Sequence, residues 1–229
     1  MLYTLDAVKD NIRNRDGSRV FYLGKNDQLT ASARDYLTAQ HIRILPAQEA
    51  AVEEYRLLGG GFVREKPEHM THLRGDILVH KTHPRIAFRG AMDTLQAELL
   101  LCLQEASQSL KKDLGEVLAF SRKILSSEVM EERLALYTLC GLTAQELRSH
   151  SHRPQEYYGQ PHFMPTAADS RMILLLNRAR CAARAAELKA VAAFMDAEGN
   201  PDRTDIIECL NRLSSMLYIL MIREKAAIK

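Results

Sequence analysis

The sequence predicts a mainly α protein: a helix bundle of about five long helices with a small α+β appendage at its N-terminus. Three observations lead there. Residues 169–194, DSRMILLLNRARCAARAAELKAVAAF, are apolar, alanine-rich and free of Gly and Pro, which favours one long helix. Two more stretches, AMDTLQAELLLCLQEASQSL from Ala91 and DIIECLNRLSSMLYILMIRE from Asp205, place apolar residues at helical spacing. Residues 1–61 differ, with short β-type runs set among turn residues, and they end in Gly59–Gly61.

Within residues 1–61, RVFYLG from Arg19 reads as a strand, Thr30 as the cap of a helix at SARDYLTAQ, and HIRILP from His41 as a second strand. AAVEEYRLL reads as a short helix stopped by the three glycines, which are expected to form a linker. The expected division is therefore an appendage at 1–61 and a bundle at 62–229. Residues 66–90 read as loop with one strand at ILVH, and a helix starts near Arg85. Gly115 is expected to break the pattern, with one or two helices following it. Thr143 and Glu146 form a capping box. Residues 151–169, with three prolines and a glycine, read as a long ordered loop of the kind that carries function. Asn200, Pro201 and Thr204 open the last helix.

Bulk properties exclude several classes. The 31 Lys and Arg are interleaved with 29 Asp and Glu, and no basic run exists, so nucleic acid is not an expected partner. The charged opening residues do not suggest a secretory signal, and no apolar run is long enough for a membrane span. A cytoplasmic location is expected. Cys102, Cys140, Cys181 and Cys209 are widely spaced in apolar helical patterns and read as small buried thiols.

Asn177, Arg180, Arg184 and Glu187 recur at spacings of three and four and share one stripe of the 169–194 helix. Arg180 and Arg184 are like charges one turn apart, a pairing that costs roughly 0.2–0.5 kcal/mol in isolation. On a helix that is apolar nearly all round, such a stripe faces something anionic: a polyphosphate, or carboxylates of a second subunit. In the 66–90 loop, Thr71, Gly75, Lys81 and Arg85 have the chemistry to hold a triphosphate, or else form a solvated basic loop. Asp93 either complements its own helix dipole or pairs with an arginine of the stripe across an interface. Asn211, expected to be buried, bonds either a neighbouring helix or a phosphate. The two HxxH pairs, His69 with His72 and His80 with His83, have no cysteine nearby, and no metal site is expected.

Three blocks carry a family resemblance. RARCAARAAE (178–187) is similar to the ARTxxRRAER helix of the ATP:cob(I)alamin adenosyltransferases. ECLNRLSSMLYILMI resembles their LNRLSDxLF helix, and VHKTHPRIAFRGAMDTLQA resembles their VxKDDxRVxAxGxVDELNA segment, in the same order. KPEHMTHL, LRSHSHRP and LTASARDYL resemble the ethanolamine-utilisation branch of that family. The resemblance implies a helix bundle whose active sites lie at subunit interfaces, in a homo-oligomer with a trimer expected. The reaction it implies transfers the 5′-deoxyadenosyl group of ATP to Co(I) of a corrinoid. It also implies a role for each residue. Thr71, Lys81 and Arg85 hold ATP. Arg180 and Arg184 lie on the triphosphate, with Asp93 of a neighbour paired to Arg180. Glu187 orients the arginines or Mg²⁺, Asn211 binds phosphate oxygens, and Phe163 forms an apolar wall under the corrin. Ala185 stands where the family has a second arginine, Gln96 where it has asparagine, and THLRGDI departs from its TGDxGTT loop. Cobalamin is a substrate in this reading. A flavin-type reductase and a cobalamin-dependent lyase, such as ethanolamine ammonia-lyase, are the expected protein partners. The rival reading is a non-catalytic scaffold or cargo adaptor of a bacterial microcompartment.

Overall fold

The computed structural model describes all residues except 16–17, 48–54, 136, 197 and 228–229. They divide into two compact units, Met1–Glu68 with Asp76–Leu78, and His69–Gly75 with Val79–Lys229.

The first unit begins with β1 (Leu2–Tyr3), α1 (Leu5–Asp10), β2 (Arg13–Arg15), β3 (Ser18–Leu23), β4 (Gln28–Leu29), α2 (Ala31–Ala39) and β5 (Arg43–Pro46). β3 pairs antiparallel with β2 and parallel with β5, with Phe21 opposite Ile44. Thr30 caps α2 as its sequence suggests, its hydroxyl accepting from Ala33 N–H. Val8, Phe21, Ala33, Leu37 and Ile42 form a small core. β6 (Tyr55–Leu57) and β7 (Phe62–Val63) follow. Tyr55–Leu57 is thus strand where a helix was expected, and residues 50–54 of that expected helix lie outside the described residues. The three glycines close the β6–β7 hairpin instead of forming a loose linker. Leu57 N–H donates to Gly61 O, and Gly60 and Gly61 take φ of 95° and 89°, which residues with a Cβ rarely adopt.

The second unit holds β8 (Met70–Arg74), a strand within the stretch expected to be loop, and the end of β9 (Ile77–His80). Its bundle contains α3 (Pro84–Glu105), α4 (Gln108–Val129), α7 (Arg171–Phe194) and α8 (Thr204–Ala227). Between α4 and α7 come the hairpin β10 (Thr138–Leu139) and β11 (Leu142–Thr143), then α5 (Ala144–His152) and α6 (Pro154–Tyr158). Four helices are therefore long, and α5 is a short fifth. The helix break falls at Ala106–Ser107, where Ser107 caps α4, and Gly115 lies inside the helix. Burial of Leu114, Val117 and Leu118 outweighs the glycine's cost of about 1 kcal/mol. The capping box at Thr143 and Glu146 forms as written in the sequence.

α7 is the central helix, packed against both α3 and α8. Its buried positions are Ile173, Leu176, Ala179, Ala183, Ala186, Ala190 and Phe194, a single strip at spacings of three and four. The small residues in that strip let neighbouring helices approach closely. The helix is not buried all round: Leu174 is 37% exposed and Leu188 71%. Of the cysteines, Cys102 and Cys209 are buried as expected, whereas Cys181 is exposed and Cys140 sits in the β10–β11 turn with φ of 52°. Among the described residues no helix is long and apolar enough to cross a membrane.

Candidate functional site

Two adjoining cavities lie on one side of the bundle. The first, about 250 Å³, is lined by Arg180 and Arg184 of α7, by Asn211, Ser214, Ser215 and Tyr218 of α8, and by Ser151, His152 and His162. The second, about 360 Å³, is lined by Phe163, Met164, Pro165 and Met221 and shares Arg180, His162 and Tyr218 with the first. One cavity is rich in cations and polar groups. The other is largely apolar. Arg180 belongs to both.

The helical period of α7 puts the stripe on this side. Arg180 is half-buried and donates from Nε and Nη2 to Asn177 Oδ1, at 3.2 and 2.9 Å, one turn earlier. Arg184 is exposed and makes no hydrogen bond or ion pair with the described residues. No described carboxylate lies within ion-pairing distance of either guanidinium. Asn211 is exposed, not buried as expected, and its amide donates to Glu187 Oε1 at 2.9 Å. That bond joins α7 to α8 at the lip of the first cavity.

The loop before α7 is held by α8. Lys225 pairs with Asp169 and lies 5.6 Å from the centroid of the Phe163 ring. The ammonium, helped by Thr166 N–H, keeps the Asp169 carboxyl below the usual carboxylate range. His162 Nε2 donates to His152 O at 3.1 Å, and its Nδ1 lies in hydrogen-bond contact with the Tyr218 hydroxyl at 3.0 Å. The two rings stack with centroids 5.9 Å apart. His162 and Tyr218 are site residues that sequence reasoning missed. The available signals were the PHFMP run beside Phe163 and the polar stripe that Asn211, Ser214 and Tyr218 form on α8.

The remaining sequence candidates lie elsewhere in the chain. Thr71 is on β8, and Lys81 follows β9, its N–H donating to His69 O. Neither lines the two cavities. Arg85 does not sit free for a phosphate. Its Nε donates to Glu128 Oε1 at 2.5 Å, its Nη1 to Glu131 Oε1 at 3.0 Å, and its Nη2 to Glu128 O at 3.1 Å. Glu128 is fully buried and also takes Arg89 Nε at 2.6 Å, so withdrawing Arg85 would leave a buried charge less well answered. Asp93 lies nine residues beyond the start of α3, too far in for the first-turn dipole role. It is exposed and has no partner among the described residues. His83 caps α3, accepting from Arg85 N–H, while the His69 and His80 rings stack 5.3 Å apart. No group of three or more His, Cys, Asp or Glu among the described residues is placed to hold a metal ion.

The description that fits this chain is Cobalamin adenosyltransferase, whose family model matches residues 62–224. Corrinoid adenosyltransferase EutT of Salmonella typhimurium is 34% identical over 160 residues, which are 70% of this chain and 60% of that protein. The chain thus matches about three fifths of that relative's length. The Escherichia coli protein of the same name is 28% identical over 224 residues, 88% of this chain and 84% of its own. Among solved structures, a phenylalanine-to-alanine variant of the PduO-type ATP:corrinoid adenosyltransferase from Lactobacillus reuteri, complexed with cobalamin and ATP, is similar with a TM-score of 0.52. It is 15% identical, and the match covers 77% of this chain and 91% of that one. At that identity the likeness bears on the fold, a helical bundle in both. The match of the family model over most of the sequence places this chain in the cobalamin adenosyltransferase family.

Proposed function

We infer that the protein transfers the 5′-deoxyadenosyl group of ATP to Co(I) of a corrinoid and releases triphosphate. The observation that carries this reading is the pair of joined cavities, one bearing two arginines without carboxylate partners, the other walled by Phe163, Met164 and Met221. The Co(I) electron pair forms a bond to C5′, the C5′–O bond breaks, and the leaving triphosphate keeps its electrons. No protein nucleophile or strong base is needed. The protein's work is to bring the reactants together and to stabilise charge on the leaving group.

Arg180 and Arg184 take the triphosphate, aided by Asn211. Glu187, fixed by Asn211, is the carboxylate available to Mg²⁺, which commonly binds through one or two carboxylates and substrate phosphates. Mg²⁺ would neutralise phosphate charge. Phe163 and Met221 supply the apolar surface for the corrin, and His162 fixes the Tyr218 ring beside it.

Thr71, Lys81 and Asp93 join the site from a neighbouring subunit in this reading, in a homo-oligomer taken to be a trimer. Support comes from the surface of α3 and α7. Asp93 and Leu100, seven residues apart, share an exposed face of α3, and Leu174, Arg184 and Leu188 share one on α7. Residues 62–229 are the catalytic part and 1–61 an appendage to it. The adenosylcobalamin serves a cobalamin-dependent enzyme such as ethanolamine ammonia-lyase, with a flavin-type reductase supplying Co(I), in the cytoplasm or in association with a microcompartment.

The deciding experiment is anaerobic. The purified protein is mixed with Mg-ATP and chemically reduced cobalamin, and the Co(I) absorbance is followed. Loss of that absorbance only when both ATP and protein are present is expected. No protein-dependent loss, together with no equilibrium binding of Mg-ATP, would leave a non-catalytic scaffold.

A further inference from the structure

A third cavity, about 900 Å³, takes no part in the reaction above. Tyr137 and Thr138 near the β10–β11 hairpin line it, with Gln145 and Arg148 of α5 and Glu208 and Arg212 of α8. It shares no lining residue with the cavity that holds Arg180 and Arg184.

Arg212 is the reason to look at it. The residue is 8% exposed and makes no hydrogen bond or ion pair with any described residue, and its Nε is buried without a partner. The other buried arginine, Arg203, shows what this fold normally does. It donates to both oxygens of Asp205 at 2.9 Å and to Glu132 O at 2.7 Å. An arginine buried without an anion is strongly destabilising, so an arginine left this way calls for one from outside the chain.

The cavity's own acids do not answer it. Asp205 is engaged by Arg203 and Arg133, and Glu208 is exposed and within ion-pairing distance of neither Arg212 nor Arg148. Arg148, also on the cavity wall, is exposed and has no carboxylate partner among the described residues. Two unanswered guanidiniums thus line a space within the size range of small-molecule sites, roughly 300–1,000 Å³.

We propose that this cavity binds a small anion of the carboxylate or phosphate class, held by the planar fork of Arg212, with Arg148 as a second cation. A guanidinium fits either anion through two parallel N–H bonds. The site is separate from the triphosphate site and does not depend on the adenosyltransfer reading.

The test is thermal unfolding of the full chain at constant ionic strength, in sodium chloride alone or with part of it replaced by inorganic phosphate or by acetate. Ligand that binds only the folded state raises Tm with concentration. Phosphate or acetate should raise the Tm of the wild type and of Arg184→Ala, and the larger shift identifies the preferred class. Arg212→Met should lose the shift while being at least as stable as wild type in chloride alone, since an unanswered charge has gone. Arg148→Ala, at an exposed position that does not threaten folding, should need several-fold more anion for the same shift. A wild type that responds to neither anion would overturn the proposal, as would an undiminished shift in Arg148→Ala and Arg212→Met. A marked destabilisation of Arg212→Met in a wild type that ignores both anions would show that a protein carboxylate, such as one from a second copy, answers Arg212 instead.

Discussion

Arg85 Nε lies 2.5 Å from Glu128 Oε1, joining the start of α3 to the end of α4 across 43 positions of sequence. Glu128 is completely buried and holds Arg89 as well, so one carboxylate answers two guanidiniums. Glu128→Gln keeps the shape and removes the charge. It should destabilise the fold by about 1–3 kcal/mol, because two part-buried guanidiniums lose their charged partner while Arg85 keeps Glu131. Urea unfolding measures this. A loss below about 1 kcal/mol would mean that water reaches the cluster and that Arg85 is free enough to serve a phosphate after all.

Arg184 is exposed and touches no acid, so its removal has little to break in the single chain. Arg184→Ala should stay within about 0.5 kcal/mol of wild-type stability, as surface substitutions do. Adenosylation should fall roughly 100-fold, the scale of losing one charge-stabilising donor from a transition state. Turnover near wild type would remove Arg184 from the phosphate site.

Asp93 lacks a cation partner and Arg180 a carboxylate partner among the described residues of their own chain. If they meet across an interface, Asp93→Asn should weaken both assembly and ATP binding. The charge swap Asp93→Arg with Arg180→Asp should restore assembly better than either single change, without restoring catalysis. A double-mutant cycle on subunit dissociation should return a coupling of roughly 0.5–3 kcal/mol. Coupling near zero in a protein shown to be oligomeric would leave Asp93 a surface carboxylate, because its place in α3 gives it no capping role.

Asp205 sets an acid limit on stability. Burial alone would raise its pKa, but hydrogen bonds from Arg203 and Leu134 N–H, with the guanidinium charge, outweigh burial and bring it to about 2. Because the folded value lies below the unfolded one of 3.8, the stabilisation is complete above pH 4 and is lost as pH falls from about 4 to 2. It amounts to roughly 2 kcal/mol. Asp205→Asn should lose about that much at neutral pH and unfold with a shallower acid limb. An unaltered acid limb in guanidinium titrations at pH 2–5 would show that other carboxylates govern it.

Much of the bundle was legible in the sequence because its determinants are local. Helical period and the threonine caps, at Thr143 in the bundle and at Thr30 in the first unit, act within one or two turns of chain. The Arg180–Arg184–Glu187 stripe and its closeness to Asn211 followed from the same period together with three motif blocks in family order. The local signals that failed did so for tertiary reasons. Gly115 sits inside α4 because the helix's apolar face is buried, and Tyr55–Leu57 is a strand because β7 and β9 pair with it.

Partnership across the sequence was not legible. Nothing near Arg85 announces Glu128, and nothing in LNRLSS distinguishes an arginine left unanswered beside a cavity from one that is paired. The same holds for His162, which becomes a site residue only when the loop folds back onto Tyr218, 56 positions later. The sequence by itself determined the family, the helices and the charged stripe, since side-chain period and motif order are properties of a short stretch of chain. Which charges are neutralised, which are left open, and which apolar wall stands beside the arginines were decided only by the tertiary structure. Ion pairing and burial depend on distances of a few ångströms between segments that the sequence holds far apart.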